Sequence, residues 1–125
     1  MLPNLDLDSL VAERTSLVAE MWAEAKRLAE DLRRLGAGEV WVFGSLARDG
    51  VRLRVTETGT VLDSDIDLVA VMETNLPYQK RAIPLLEQLD SRFPVDLAVL
   101  TPAEMAHPEW SSFTRELLRA GVKVQ

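Results

Sequence analysis

Cysteine is absent from the chain, so neither a disulfide framework nor a thiolate metal site can form, a composition that fits a reducing cytosol. Histidine occurs once, at His107 in the loop AHPEW; no serine or cysteine partner is implied, and a surface loop residue is expected. Aromatic residues make up only 6% of the chain, and nothing around Trp22, Trp41 or Trp110 suggests base stacking; filling the core or a partner surface is expected of them. Positive charge is in deficit, the formal net charge being -6. That balance disfavours the broad basic face of nonspecific nucleic-acid binders, so no direct, stable nucleic-acid binding is expected. No apolar run approaches the roughly 20 residues that span a bilayer. The opening MLPNLDLDSL also lacks a basic segment followed by an apolar core. Together these features predict a cytoplasmic protein without membrane contact.

What is present suits one domain spanning residues 1–125: 47% of residues are hydrophobic and 27% charged, enough for a modest core. Leu10, Val11, Leu17, Val18, Met21, Trp22, Ala25, Leu28, Leu32 and Leu35 recur at spacings of three and four. They predict an amphipathic helix over about 8–35, capped by Asp8 or Ser9 and stopped at Gly36. From Val18 onward the spacing is also that of a heptad, which would let a partner helix or a second copy pair along it. Two and a half heptads are few, and a helix lying on its own sheet is the simpler expectation.

EVWVF (39–43) predicts a buried strand ended by Gly44-Ser45, DIDLVAVM (65–72) a second and PVDLAVL (94–100) a third. Residues 51–62 alternate Val51, Leu53 and Val55 with Arg52 and Arg54, the pattern of a hairpin with one apolar and one basic face turning around 57–59. With its ends tethered to Ser45 and Asp65, it is expected beside the mouth of any site there. A helix is predicted within 75–93, its start blurred by Pro77 and Pro84. A short helix opens at Thr101-Pro102, another runs over 110–120, and Val122-Lys123-Val124 reads as a last edge strand. Strands alternating with helical segments predict an α/β (α+β) domain.

The aspartates are out of place in such strands. Side chains two positions apart share a face, so Asp65 and Asp67 project together, roughly 6.5 to 7 Å apart at Cα, and Asp96 sits in the other core strand. Like charges side by side repel and raise one another's pKa unless a cation neutralises them, and magnesium, bound by carboxylate, water and phosphate oxygens, meets that need. Gly44-Ser45, at a strand end turning into a helical segment, offers unobstructed backbone N–H groups and a hydroxyl suited to phosphate. Each feature alone has an ordinary explanation as a turn or a solvated strand entrance. Together they describe a site for a metal-bound nucleotide.

In order along the chain, FGSLARDG, SDIDLVAV and PVDLAVL resemble the signature of the DNA polymerase β-like nucleotidyltransferases. The group most similar is the minimal nucleotidyltransferases, and the likeness extends to the terminal FTRELLRAGVKV. The resemblance implies the nucleotidyltransferase fold, a central mixed sheet with helices packed mainly on one face, here with a long N-terminal helix. It implies that Gly44 and Ser45 hold the triphosphate of ATP, that Asp65 and Asp67 bind two magnesium ions, and that Asp96 helps bind metal and activates the attacking hydroxyl. Arg48 falls where a phosphate contact is expected, with a surface salt bridge as the ordinary alternative. Nineteen residues separate Ser45 from Asp65, against about ten or eleven in the family, so 51–62 reads as an insertion. The resemblance further implies an AMP-transferring antitoxin whose acceptor is a helical HEPN-domain toxin. Two other readings remain open: transfer to a small hydroxyl compound such as an antibiotic, and a noncatalytic antitoxin acting by contact alone.

Overall fold

A computed structural model describes residues 6–124. Its first element is α1 (Leu7–Arg34). Its cap is Asp6, whose carboxylate accepts from the Asp8 N–H and the Ser9 hydroxyl, so the start lies two residues ahead of the expected capping residues. The fully buried stripe is Met21, Ala25, Leu28, Ala29 and Leu32, confined to the second half of the helix. Leu7 and Val11 stay exposed, because the sheet does not reach beneath the first turns.

The main sheet has the order β5-β4-β1-β6, from β1 (Glu39–Phe43), β4 (Ile66–Val71), β5 (Val95–Leu100) and β6 (Val122–Val124). β1 pairs antiparallel with β4 and β6, and β4 pairs parallel with β5. The sheet is therefore mixed, with Val122–Val124 on its edge as expected. Alternation assigns the two faces. Val40, Val42, Ile66, Leu68, Ala70, Leu97 and Val99 join α1 in the larger core, while Val69, Val71 and Leu100 face the other way and pack with Leu117, Trp41, Phe43 and Phe113. Most of the helical mass thus lies on one face, and α5 (Ser112–Ala120), which follows the short α4 (Pro102–Ala106), covers part of the other. The Arg33 guanidinium donates to the Val124 carbonyl and ties the edge strand to α1.

Residues 75–93 depart from the expected helix. They form a 3-10 turn at Tyr78–Lys80 and one short helix, α3 (Ile83–Leu86). Pro77 and Pro84 remove two donors and fix φ, which confines regular helix to a few residues. Arg81 in this segment is not on an exposed face: its guanidinium donates to the carbonyls of Leu76 and Val99 and pairs with Glu104 at 2.7 Å. It thereby blunts the free edge of β5. The C-terminal helix starts at Ser112, capped by Ser111, and Trp110 lies before it in a 3-10 turn.

β2 (Leu53–Thr56) and β3 (Gly59–Leu62) form their own two-stranded sheet, with Leu53 and Val55 half-buried and Arg54 exposed. Arg52 and Asp63 close its base, and it leans on the first turns of α1. The Arg14 guanidinium donates to the Val51 carbonyl and pairs with Asp49 at 2.9 Å, and the Thr60 hydroxyl donates to Glu13. The hairpin is rooted next to Asp65 and directed at the helix that covers the opposite face of the sheet. Val51 itself is buried in the main core.

Candidate active site

β4 and β5 run parallel with Asp67 in register with Asp96. Register neighbours on adjacent strands, about 4.8 Å apart, point to the same side. Asp65 precedes β4 by one residue, and alternation puts it on the side of Asp67. The three aspartates therefore share one side of the sheet where these two strands enter, on the face that α1 leaves free. Asp65 and Asp96 are exposed, and Asp67 is half-buried.

Asp67 also lies opposite Phe43, the last residue of β1, and so beside Gly44. The chain turns there with Gly44 at φ +68°, into the single helical turn α2 (Gly44–Ala47). A Cβ on Gly44 would overlap the Asp67 carboxylate, lying 2.9 Å from its Cγ. Two constraints thus require glycine: a left-handed backbone and the close approach of a carboxylate. Gly50 donates to the Ser45 carbonyl at 2.7 Å, which folds the following loop back onto the turn.

Burial pushes the Asp67 carboxyl up to about 6, with Asp96 and then Asp65 adding repulsion and the Arg48 cation pulling it partly back. Arg48 is exposed and makes no ion pair among the described residues, so its charge remains available. The acidic residue after it has a separate use. Asp49, in the left-handed region at φ 55°, turns away to pair with Arg14.

Among the described residues no three His, Cys, Asp or Glu side chains form a ready-made metal cage. The donor set fits a cation that brings its own ligands. Magnesium takes one or two carboxylates and completes its shell with water and phosphate oxygen. A carboxylate with a raised pKa beside two others is where such a charge relieves the most repulsion.

Two clefts flank Phe113, whose ring meets Phe43 edge-on at 5.3 Å. One, of about 260 Å³, is lined by Gly44, Arg48, Glu116 and Gly121; the other, of about 300 Å³, by Asp96, Ala98, Tyr78 and Gln79, and Phe43 and Phe113 line both. The sequence gives no local sign that Phe113 and Glu116 belong here, because they arrive on a helix some seventy residues beyond Gly44. His107 and Trp110 stack in parallel at 4.2 Å, Trp110 being 61% exposed rather than in the core, whereas Trp22 and Trp41 are half-buried. No described helix is long and apolar enough to cross a membrane.

Comparison with known proteins finds no matching family model and no matching curated protein. Among solved structures, a Sulfolobus solfataricus protein provisionally described as a nucleotidyltransferase is similar, with a TM-score of 0.54 and 23% identity over 75% of this chain and 78% of its own. The likeness establishes the fold: a mixed sheet of the nucleotidyltransferase type with a long N-terminal helix.

Proposed function

We propose that this protein is a magnesium-dependent nucleotidyltransferase that moves AMP from ATP to a hydroxyl of a partner protein. The observation that carries the reading is the in-register pair Asp67–Asp96 beside Asp65, with Gly44 pressed against the Asp67 carboxylate. A buried structural carboxylate would be expected to hold a cation of the chain itself. Asp67 makes no ion pair among the described residues, feels the Arg48 cation only as the weakest of its influences, and faces two further carboxylates instead.

In this reading Asp65, Asp67 and Asp96 would hold two magnesium ions, which would supply charge neutralisation for the triphosphate and Lewis acidity. The Ser45 hydroxyl, the backbone at Gly44 and the Arg48 guanidinium take the β- and γ-phosphates. That places the pyrophosphate leaving group on the β1 side of Asp67 and the attacking hydroxyl on the β5 side. Asp96 accepts the hydroxyl proton as the acceptor oxygen bonds to the α-phosphorus and the bond to pyrophosphate breaks. Orientation and electrostatics supply most of the acceleration.

The acceptor reading draws on the motif resemblance: a helical HEPN-type toxin silenced by its antitoxin. Incubation with magnesium, ATP and the genomic neighbour, followed by intact-mass spectrometry, tests it. Addition of AMP units to the neighbour, lost with Asp65→Asn and with Asp96→Asn, is expected. A neighbour silenced equally by both variants and never modified would replace this reading with neutralisation by contact.

A further inference from the structure

Arg14 stands on the half of α1 that the sheet does not cover, yet its side chain is only 33% exposed. Its guanidinium makes three hydrogen bonds to one distant stretch of chain: Nε donates to the Val51 carbonyl, and Nη2 donates to both the carbonyl and the carboxylate of Asp49, each at 2.9 Å. The Asp49 side chain is 79% exposed, so the ion pair by itself adds little. The two bonds to carbonyls are the ones that fix the backbone, and a charged donor makes them stronger than ordinary amide bonds.

These bonds grip the end of the turn that begins at Gly44. α2 is a single turn, too short to be stable through its own hydrogen bonds. The chain ties back onto it three times: the Arg48 N–H to the Gly44 carbonyl at 3.1 Å, Asp49 to Leu46 at 3.3 Å and Gly50 to Ser45 at 2.7 Å. That closure reverses the chain at Asp49, in the left-handed region at φ 55°, where a residue other than glycine is strained. Arg14 holds the reversal from outside, and burial of Val51 anchors it from within. Arg48 is the residue just before the reversal. Its side chain lines the cleft that Gly44 and Glu116 also border, and its charge reaches Asp67. We infer that Arg14 is a positioning residue for Arg48: by fixing the carbonyls of Asp49 and Val51 it holds the Arg48 guanidinium where the triphosphate arrives. The inference rests on the reading of the aspartate site as a site for metal-bound nucleotide. It also gives the uncovered half of α1 a task, which is to brace the phosphate turn.

Calorimetric titration of magnesium-ATP into the intact protein, with magnesium and inorganic triphosphate as a second ligand, tests the assignment. Arg48→Ala should weaken magnesium-ATP binding about tenfold or more, the loss of one charge-assisted hydrogen bond. Arg14→Ala should weaken it about fivefold, because the same contact is loosened rather than removed. In an Arg48→Ala background, Arg14→Ala should cause no further loss, which a merely structural tie would not reproduce. Arg14→Lys keeps the charge but not the forked reach, so it should lose nearly as much as Arg14→Ala. Asp49→Asn keeps both carbonyl bonds and should bind within about twofold of wild type. Inorganic triphosphate should show the same losses as ATP, since Arg48 is assigned to phosphate. Unchanged magnesium-ATP affinity in Arg14→Ala, losses that multiply in the double variant, or full recovery with Arg14→Lys would overturn the positioning role. Absence of magnesium-ATP binding by the wild type itself would instead remove the nucleotide reading of the aspartate site, and the role of Arg14 with it.

Discussion

Asp67→Asn should make the free protein more stable and the nucleotide-saturated protein less stable than wild type. The native carboxyl titrates near 6 against an ordinary value of 3.8, so its ionisation opposes folding. The penalty is fully present above about pH 6, shrinks as the pH falls toward 4, and is gone below both values. Two units correspond to a ceiling of about 3 kcal/mol. Solvent screening of this half-buried group reduces the expectation to about 1–2 kcal/mol. For a domain of this size that raises the midpoint of the apo variant by roughly 4 to 8 °C at pH 7.5, and the advantage should shrink to a small remainder at pH 4. Magnesium-ATP at a hundred times its Kd should stabilise the wild type by about 2.7 kcal/mol and the variant hardly at all, so the order of the two midpoints inverts on adding ligand. Differential scanning fluorimetry in EDTA and in magnesium-ATP, at both pH values, reads all four states. A variant less stable than wild type without ligand at pH 7.5, or an equal ligand shift in both proteins, would refute the account of Asp67 as a repelled carboxylate awaiting a cation.

Gly44→Ala should cost about 2–3 kcal/mol, since it meets a left-handed backbone and the Asp67 carboxylate together. In an Asp67→Ala background only about 1 kcal/mol of that cost should remain, a coupling that a double-mutant cycle under urea measures. Glu24→Gln should cost about 2 kcal/mol near pH 7: this buried carboxylate, held at about 2 chiefly by its bond to Arg27, also receives the Arg92 N–H at 2.7 Å. Because its folded pKa is depressed, the stability it contributes is present above about pH 4.5 and lost as the pH falls toward 2; urea midpoints of wild type and variant should therefore converge in that window. Replacing 53–61 by a short Gly-Ser linker should leave folding and the magnesium-ATP shift intact, because β2 and β3 pair only with each other. Transfer to the partner protein, read by intact mass, should also survive in that variant, because the hairpin leans on α1 rather than lying beside the aspartates. Val51→Ala, at a core position, should cost about 2 kcal/mol in the same urea assay.

The fold was legible where one local cause dominates. Runs rich in β-branched and aromatic residues placed β1, β4 and β5 to within a residue or so, and the three-four spacing placed α1. The segment 75–93 was harder, because its apolar residues suit a helix while two prolines and the Arg81 bonds to the carbonyls of nearby Leu76 and distant Val99 hold it in short turns. The cap of α1 was displaced for a similar reason: Asp6, Asp8 and Ser9 can all cap, and only the arrangement in which Asp6 receives from the other two satisfies both donors. Trp110 has the composition of a core residue, yet the turn before α5 leaves it on the surface beside His107.

By itself the sequence determined that Gly44 and Ser45 end one strand and that three aspartates begin two others, because strand periodicity is local and Asp is costly in a strand without a reason. It could not determine that Asp67 leans on Gly44, that Asp96 stands in register with it, or that Phe113 splits the surface beside them into two clefts. Those depend on strand order and register, which long-range burial fixes: β4 can hide Ile66, Leu68 and Ala70 beneath α1 only in the register that turns Asp67 toward the opposite face.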